Sequence, residues 1–184
     1  METSSLLIFL ILSVLIVFFS RKQIINPGSH GFYRFFSWIG IAWLISNNYP
    51  YWFTDIYSPK QIISWLLLIS AVYPAISGAI LIIKRGKPGK SRIQEELFSF
   101  EITTRLVDTG IYKYIRHPLY GSLILLTWGI YFKNTEISLF IISIASSLFL
   151  YKTAKVDEKE CIEYFNGEYL EYMGRSKMFI PFIF

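Results

Sequence analysis

Residues 61–83, QIISWLLLISAVYPAISGAILII, run for 23 positions without one charged side chain. As a helix the run spans about 34 Å, enough for the roughly 30 Å hydrocarbon core of a bilayer. Backbone N–H and C=O groups in hydrocarbon must be satisfied within the chain, and a helix does this. Pro74 and Gly78 inside the run predict a kink. Four further apolar segments accompany it: Ser5–Phe19, Phe35–Ser46 with an aromatic lead-in from Phe32, Leu119–Phe132 and Ile137–Tyr151. The last two are short, and KNTE between them is a turn signal. They form a tight hairpin that leans on the other helices and lengthens at its ends.

The distribution of charge orients this layout. Sixteen of the eighteen Lys and Arg residues fall in residues 20–34, in the link from Lys84 to Arg116, and in the tail after Tyr151. The other two links carry only Lys60 and Lys133. Basic residues concentrate in cytoplasmic loops, so the N-terminus is placed outside and the C-terminus in the cytoplasm. Tyr49, Tyr51 and Trp52 suit an aromatic belt at the outer interface. The expected fold is therefore all-α, an integral membrane protein with about five transmembrane helices. It carries a cytoplasmic loop containing KRGKPGKSR (84–92) and a C-terminal helix. The acidic stretch KVDEKECIEYF (155–165) continues the fifth helix into the cytoplasm.

The same reading limits function. The net charge of +5 belongs to the loops of a membrane protein, which argues against nucleic acid. Cys161 is the single cysteine, which excludes an internal disulfide and a multi-cysteine metal centre. Two histidines, His30 and His117, are too few for a His-rich one, so no metal is expected. His30, in the loop NPGSHG with no acidic neighbour, is expected to be solvated. The N-terminal apolar run has its basic pair, Arg21 and Lys22, after it and lacks a small-residue cleavage site. It fits a retained span. IPFIF at the end carries no prenylation signal.

Two stretches concentrate groups that could do chemistry. In LVDTGIYKYIRHPLYG, Gly110 permits a turn and Pro118 suits the first turn of a helix. His117 then sits at or near the cap, where free N–H groups and the helix dipole favour an anion. Arg116 adds positive charge, and Tyr112, Tyr114 and Tyr120 add aromatic faces. The set suits a ligand with a carboxylate or phosphate and a flat ring. It equally suits interfacial anchoring, with Arg116 snorkelling to the headgroups. In KTAKVDEKECIEYFNGEYLEY, Asp157 and Glu158 lie about two turns past Tyr151. They could hold an amine or ribose hydroxyls, pair with Arg116, or form a solvated helix face.

Together the two stretches, with the helical hairpin between them and the late IP, resemble the isoprenylcysteine carboxyl methyltransferase family and its relatives, the phospholipid N-methyltransferases. The resemblance covers about Leu106–Pro181. Chain length suggests a single membrane domain (1–184), whose first part (1–83) is three N-terminal spans and whose remainder (84–184) the resemblance makes a cofactor-binding catalytic half. The resemblance implies S-adenosylmethionine as cofactor, enclosed by Leu106, Val107, Tyr112, His117, Pro118, Leu119, Tyr120, Asp157 and Glu158, with Arg116 and Glu158 as catalytic residues. The partners it implies are a membrane lipid environment and a lipophilic small molecule or lipidated substrate, such as a prenylcysteine-type carboxylate. The family's acidic pair is usually Glu-Glu, and here the first member is Asp157. The family's substrate-carboxylate arginine aligns with Thr153, which leaves the acceptor open. Two alternatives stand beside this reading. One is an NADPH-dependent reductase of the sterol-reductase type, against which Leu119 stands where that group has asparagine. The other is a non-enzymatic membrane protein that keeps the family shell.

Overall fold

A computed structural model describes residues 3–87 and 103–183. Among the described residues it is all-helical, with six α-helices: α1 (Thr3–Ile24), α2 (His30–Asn48), α3 (Pro59–Arg85), α4 (Pro118–Tyr131), α5 (Ile137–Phe165) and α6 (Gly167–Arg175). Each of the five apolar segments forms a helix. α1, α3 and α5 are long and apolar enough to cross a membrane. α4 is a shorter apolar helix. Part of the basic loop 84–92, residues 88–92, lies outside the described residues.

The helices are greasy outside, and inside they bury small polar side chains alongside an apolar core. On α1, α3 and α5 the exposed side chains include Val14, Phe18, Leu66, Ile69, Ile141 and Leu148. Buried positions include Ser37, Ser64, Thr127, Ser143, Ser146 and Thr153. Where lipid surrounds the helices, burial of apolar surface gives little reason for them to associate. Close packing of small residues and interhelical hydrogen bonds then hold them together. Ser64 Oγ donates to the Gly129 carbonyl at 2.6 Å, and Asn48 Nδ2 donates to the Ile130 carbonyl at 2.9 Å. Gly129 lets α4 lie directly on α3, since a Cβ there would stand 2.8 Å from Leu68 Cγ. Gly78 does the same near the site, where a Cβ would meet Pro118 Cγ at 3.1 Å. α3 pairs with α4, α2 with α5 and α1 with α2.

Helix ends follow local chemistry. Ser29 caps α2 by accepting from the Phe32 N–H. Pro118 is the first residue of α4, with His117 at its cap. α5 extends past the apolar part at Tyr151 into the polar stretch and stops at Asn166, whose φ of 53° breaks the helix and starts α6.

Three charged or titratable residues depart from expectation. The loop between α1 and α2 is shorter than expected, so Arg34 lies within α2. It is 2% exposed, with its guanidinium 5.0 Å from the Trp38 ring centroid. His30 is the first residue of α2 and is buried, not solvated. Lys133, a link residue in the sequence reading, is also buried. Its Nζ donates to Gln61 Oε1 at 2.9 Å and lies 3.7 Å from the Trp65 ring centroid. Burial pushes its pKa down, while the facing ring offers the cation a partial substitute for water.

Candidate functional site

The C-terminal segment is tied directly beside the YIRHP stretch. The Arg116 N–H donates to the Lys177 carbonyl, the His117 N–H to the Met178 carbonyl, and the Lys177 N–H to the Tyr114 carbonyl, at 2.8, 3.1 and 2.9 Å. The Arg116 guanidinium reaches the carbonyls of Ser176 and Met173. Tyr172 donates from its hydroxyl to the Tyr112 carbonyl at 2.6 Å. Gly110 turns the chain ahead of Tyr112 with a φ of 62°, a conformation glycine adopts without strain. These local contacts fix Tyr112 and His117 side by side with α6.

Between this loop and the polar half of α5 lies a cleft of about 760 Å³, its open mouth included. Leu106, Val107, Tyr112, Arg116, His117, Pro118, Leu119, Tyr120 and Asp157 all border it. Glu158 does not border it: it is buried behind the wall, where Arg116 Nε donates to Glu158 Oε1 at 2.8 Å. Sequence reasoning missed Ile82, Thr103, His30, Cys161, Phe165, Tyr169 and Tyr172, which complete the lining. For the two tyrosines the signal was available in the i, i+3 spacing of EYLEY. For His30 there was none, because its partner is 130 residues away.

Electrostatics divide the titratable groups by task. His117 stacks on Tyr120, with ring centroids 5.5 Å apart. Its Nδ1 lies 3.6 Å from Asp157 Oδ2 and its Nε2 3.5 Å from Glu158 Oε1. Burial works against the imidazolium, but contacts with the two carboxylates outweigh it and raise the pKa. Burial would likewise raise Glu158, yet His117 and Arg116 overcome it and bring its pKa to about 2. Glu158 belongs to the polar half of α5, beyond the apolar part. Tyr112 is raised well above its ordinary value, by burial first and then by Tyr172 and Asp157.

His30 forms a second centre on the same wall. Its backbone N–H donates to Glu160 Oε1 and its Nδ1 meets Glu160 Oε2, each at 2.8 Å. Potential ligand atoms of His30, Asp157 and Glu160 lie within 4.8 Å of one another, a spacing that could also hold a cation. Thr153 is fully buried and donates its hydroxyl to the Phe149 carbonyl at 2.7 Å.

Fold and cleft together define a helical protein of membrane type with a tyrosine-rich pocket at one end of its spans. Comparison adds a partial likeness. The chain is 37% identical over 86 residues to protein-S-isoprenylcysteine O-methyltransferase of Saccharomyces cerevisiae, a match that takes in 42% of this chain and 33% of the yeast protein. The chain thus spans about a third of that relative's length. No family model matches the chain, and no solved structure matches it.

Proposed function

We propose that the chain is a single membrane domain (1–184) that transfers a methyl group from S-adenosylmethionine to a lipophilic acceptor reached from the bilayer. Residues 84–184 carry the cofactor-binding half, the cleft faces the cytoplasm, and the N-terminus lies outside. The observation that carries this reading is the meeting of the two polar stretches, Leu106–Tyr120 and Asp157–Tyr172, across one cleft. The partial likeness to a methyltransferase supports it, as does the crowding of basic residues at the cleft's end of the molecule.

The residues present fit the cofactor. Asp157, partly exposed on the wall, suits its ammonium group. His117, whose pKa is raised, and the adjacent N-terminus of α4 suit its carboxylate. The faces of Tyr112, Tyr120, Tyr169 and Tyr172 suit an adenine ring and, by cation–π attraction, a sulfonium. When bound, S-adenosylmethionine supplies an electrophilic methyl group. The protein's part is to orient the acceptor and keep water out. Arg116 and Glu158 hold the cleft's back wall and the C-terminal segment in register.

Calorimetry with S-adenosylhomocysteine on the detergent-solubilised protein tests the reading. Saturable binding is expected, weakened tenfold or more in D157A and in H117A. Saturable NADPH binding in its place would move the reading to the reductase alternative.

A further inference from the structure

Residues 177–183 return from α6 along the loop that precedes α4. Their inner side chains, Met178 and Phe179, pack with Tyr120, Leu150 and Ala154. The outer ones turn away: Ile180 is half exposed, Phe182 is 81% exposed and Ile183 75% exposed. A turn closed by the Ile183 N–H on the Ile180 carbonyl carries the last two outward. Tyr114, itself exposed, sets its ring 5.9 Å from that of Phe182. Lys113 and Lys177 beside this patch are exposed as well. Two helices fix its depth. On α3, Gly78 lies against Pro118, Leu81 lies against Gly110, and Arg85 donates to Thr109 Oγ1 at 2.6 Å. The loop 109–118 therefore runs beside the last two turns of α3, about 10 Å, where the uncharged run gives way to Lys84 and Arg85. On α5, Leu150 and Ala154 straddle Tyr151, where the apolar part ends. A patch at that level lies at the headgroup boundary of a bilayer. Aromatic and apolar side chains settle there, and lysines are held where the lipids are anionic.

We propose that residues 177–183, with Tyr114, form an interfacial anchor that docks on the anionic headgroup surface of the bilayer at the cleft's end of the molecule. Ile180, Phe182 and Ile183 enter the boundary between headgroups and acyl chains, and Lys113 and Lys177 meet the lipid phosphates and carboxylates. Two observations select lipid as the occupant. The exposed Leu148 and Tyr151 flank Leu150, so the patch continues the lipid-facing surface of α5. Residues 177–183 also contain no acidic side chain to oppose an anionic surface. The anchor bears on the cleft, because the N–H groups of Arg116 and His117 donate to the carbonyls of Lys177 and Met178. A segment fixed in the leaflet fixes that wall of the cleft with it. The assignment stands apart from the methyl-transfer reading and holds whatever the cleft binds.

Nitroxide labels test the depth. In a C161S background, F182C and G174C each carry one label on the full chain, reconstituted in phosphatidylcholine vesicles with or without phosphatidylserine. Gly174 lies on α6, exposed, with no atom against its Cβ position. Oxygen concentrates among acyl chains and a neutral nickel chelate in water. The label at 182 is expected to relax with oxygen more than with the chelate, and the label at 174 to do the reverse. Phosphatidylserine should deepen the label at 182, and K113Q/K177Q should abolish that difference. I183C gives a second reading of the same face should F182C fold poorly. Labels at 182 and 183 that meet the chelate as freely as the label at 174 place the segment in water and overturn the proposal. Shielding from both reagents marks a protein contact, with a second copy or another chain, and overturns it as well. Depth that is the same with and without phosphatidylserine overturns the anionic surface as the partner.

Discussion

Arg116 Nε lies 2.8 Å from Glu158 Oε1, and both side chains are almost fully buried. The pair joins the loop before α4 to the polar half of α5, and the same guanidinium holds two carbonyls of the C-terminal segment. Removing one partner leaves a buried charge uncompensated, which typically costs about 3–5 kcal/mol. R116L is therefore expected to lower the thermal stability of the detergent-solubilised protein by an amount in that range. R116L/E158L should recover a large part of it. Thermal unfolding of the two single variants and the double variant measures the coupling, and equal loss in R116L and R116L/E158L would show that the pair is not what Arg116 stabilises.

The His117 cluster predicts a stability optimum in pH. The pKa of His117 is raised, so its contribution is complete below its unfolded value of 6.5 and is lost as pH rises through the folded value. The pKa of Glu158 is lowered to about 2, so its contribution is complete above its unfolded value of 4.5 and is lost as pH falls toward 2. Both contribute fully between about 4.5 and 6.5. Unfolding measured across pH should show H117N flattening the alkaline side and E158Q the acid side.

Lys133 should matter more than a link residue normally does. Its ammonium is held by Gln61 Oε1, the Trp52 carbonyl and the face of Trp65. A desolvated cation–π contact contributes about 2 kcal/mol, and a hydrogen bond to a charged group contributes comparably. K133A is expected to destabilise by about 2–4 kcal/mol, against near-neutrality for K60A on an exposed position. Melting temperatures of the two variants compare them directly.

The α3–α4 contact is intolerant of volume at Gly129. A Cβ there would stand 2.8 Å from Leu68 Cγ and 3.2 Å from the Leu68 backbone nitrogen, which cannot swing away. G129A should cost about 1–3 kcal/mol through overpacking. L68A is expected to relieve part of that cost in the double variant, as read from unfolding of all three proteins.

Much of the helical framework was legible in the sequence, because hydrophobic length is a local property. The uncharged run at 61–83 specifies a spanning helix whatever surrounds it, and Pro118 marks the start of α4 by its own covalent geometry. The continuation of α5 past Tyr151 was legible in the same way, from helix-favouring residues without a breaker before Asn166. The motif stretches could also be picked out as polar groups concentrated at one end of apolar segments.

What each polar group faces was decided only by tertiary structure. His30 had no acidic neighbour in the chain, and packing of α2 on α5 gave it one 130 residues away. Glu158 and Asp157 are adjacent in sequence, yet helical geometry sends one to Arg116 behind the wall and the other to the cleft. Lys133 lies in the α4–α5 link as the KNTE turn signal implied, but it is packing that buries it and lets Gln61 Oε1, 72 residues earlier, accept a hydrogen bond from its ammonium. The sequence determined by itself which segments are helices and where polar groups gather. Helix rotation and packing, which depend on every interface at once, decided which of those groups meet.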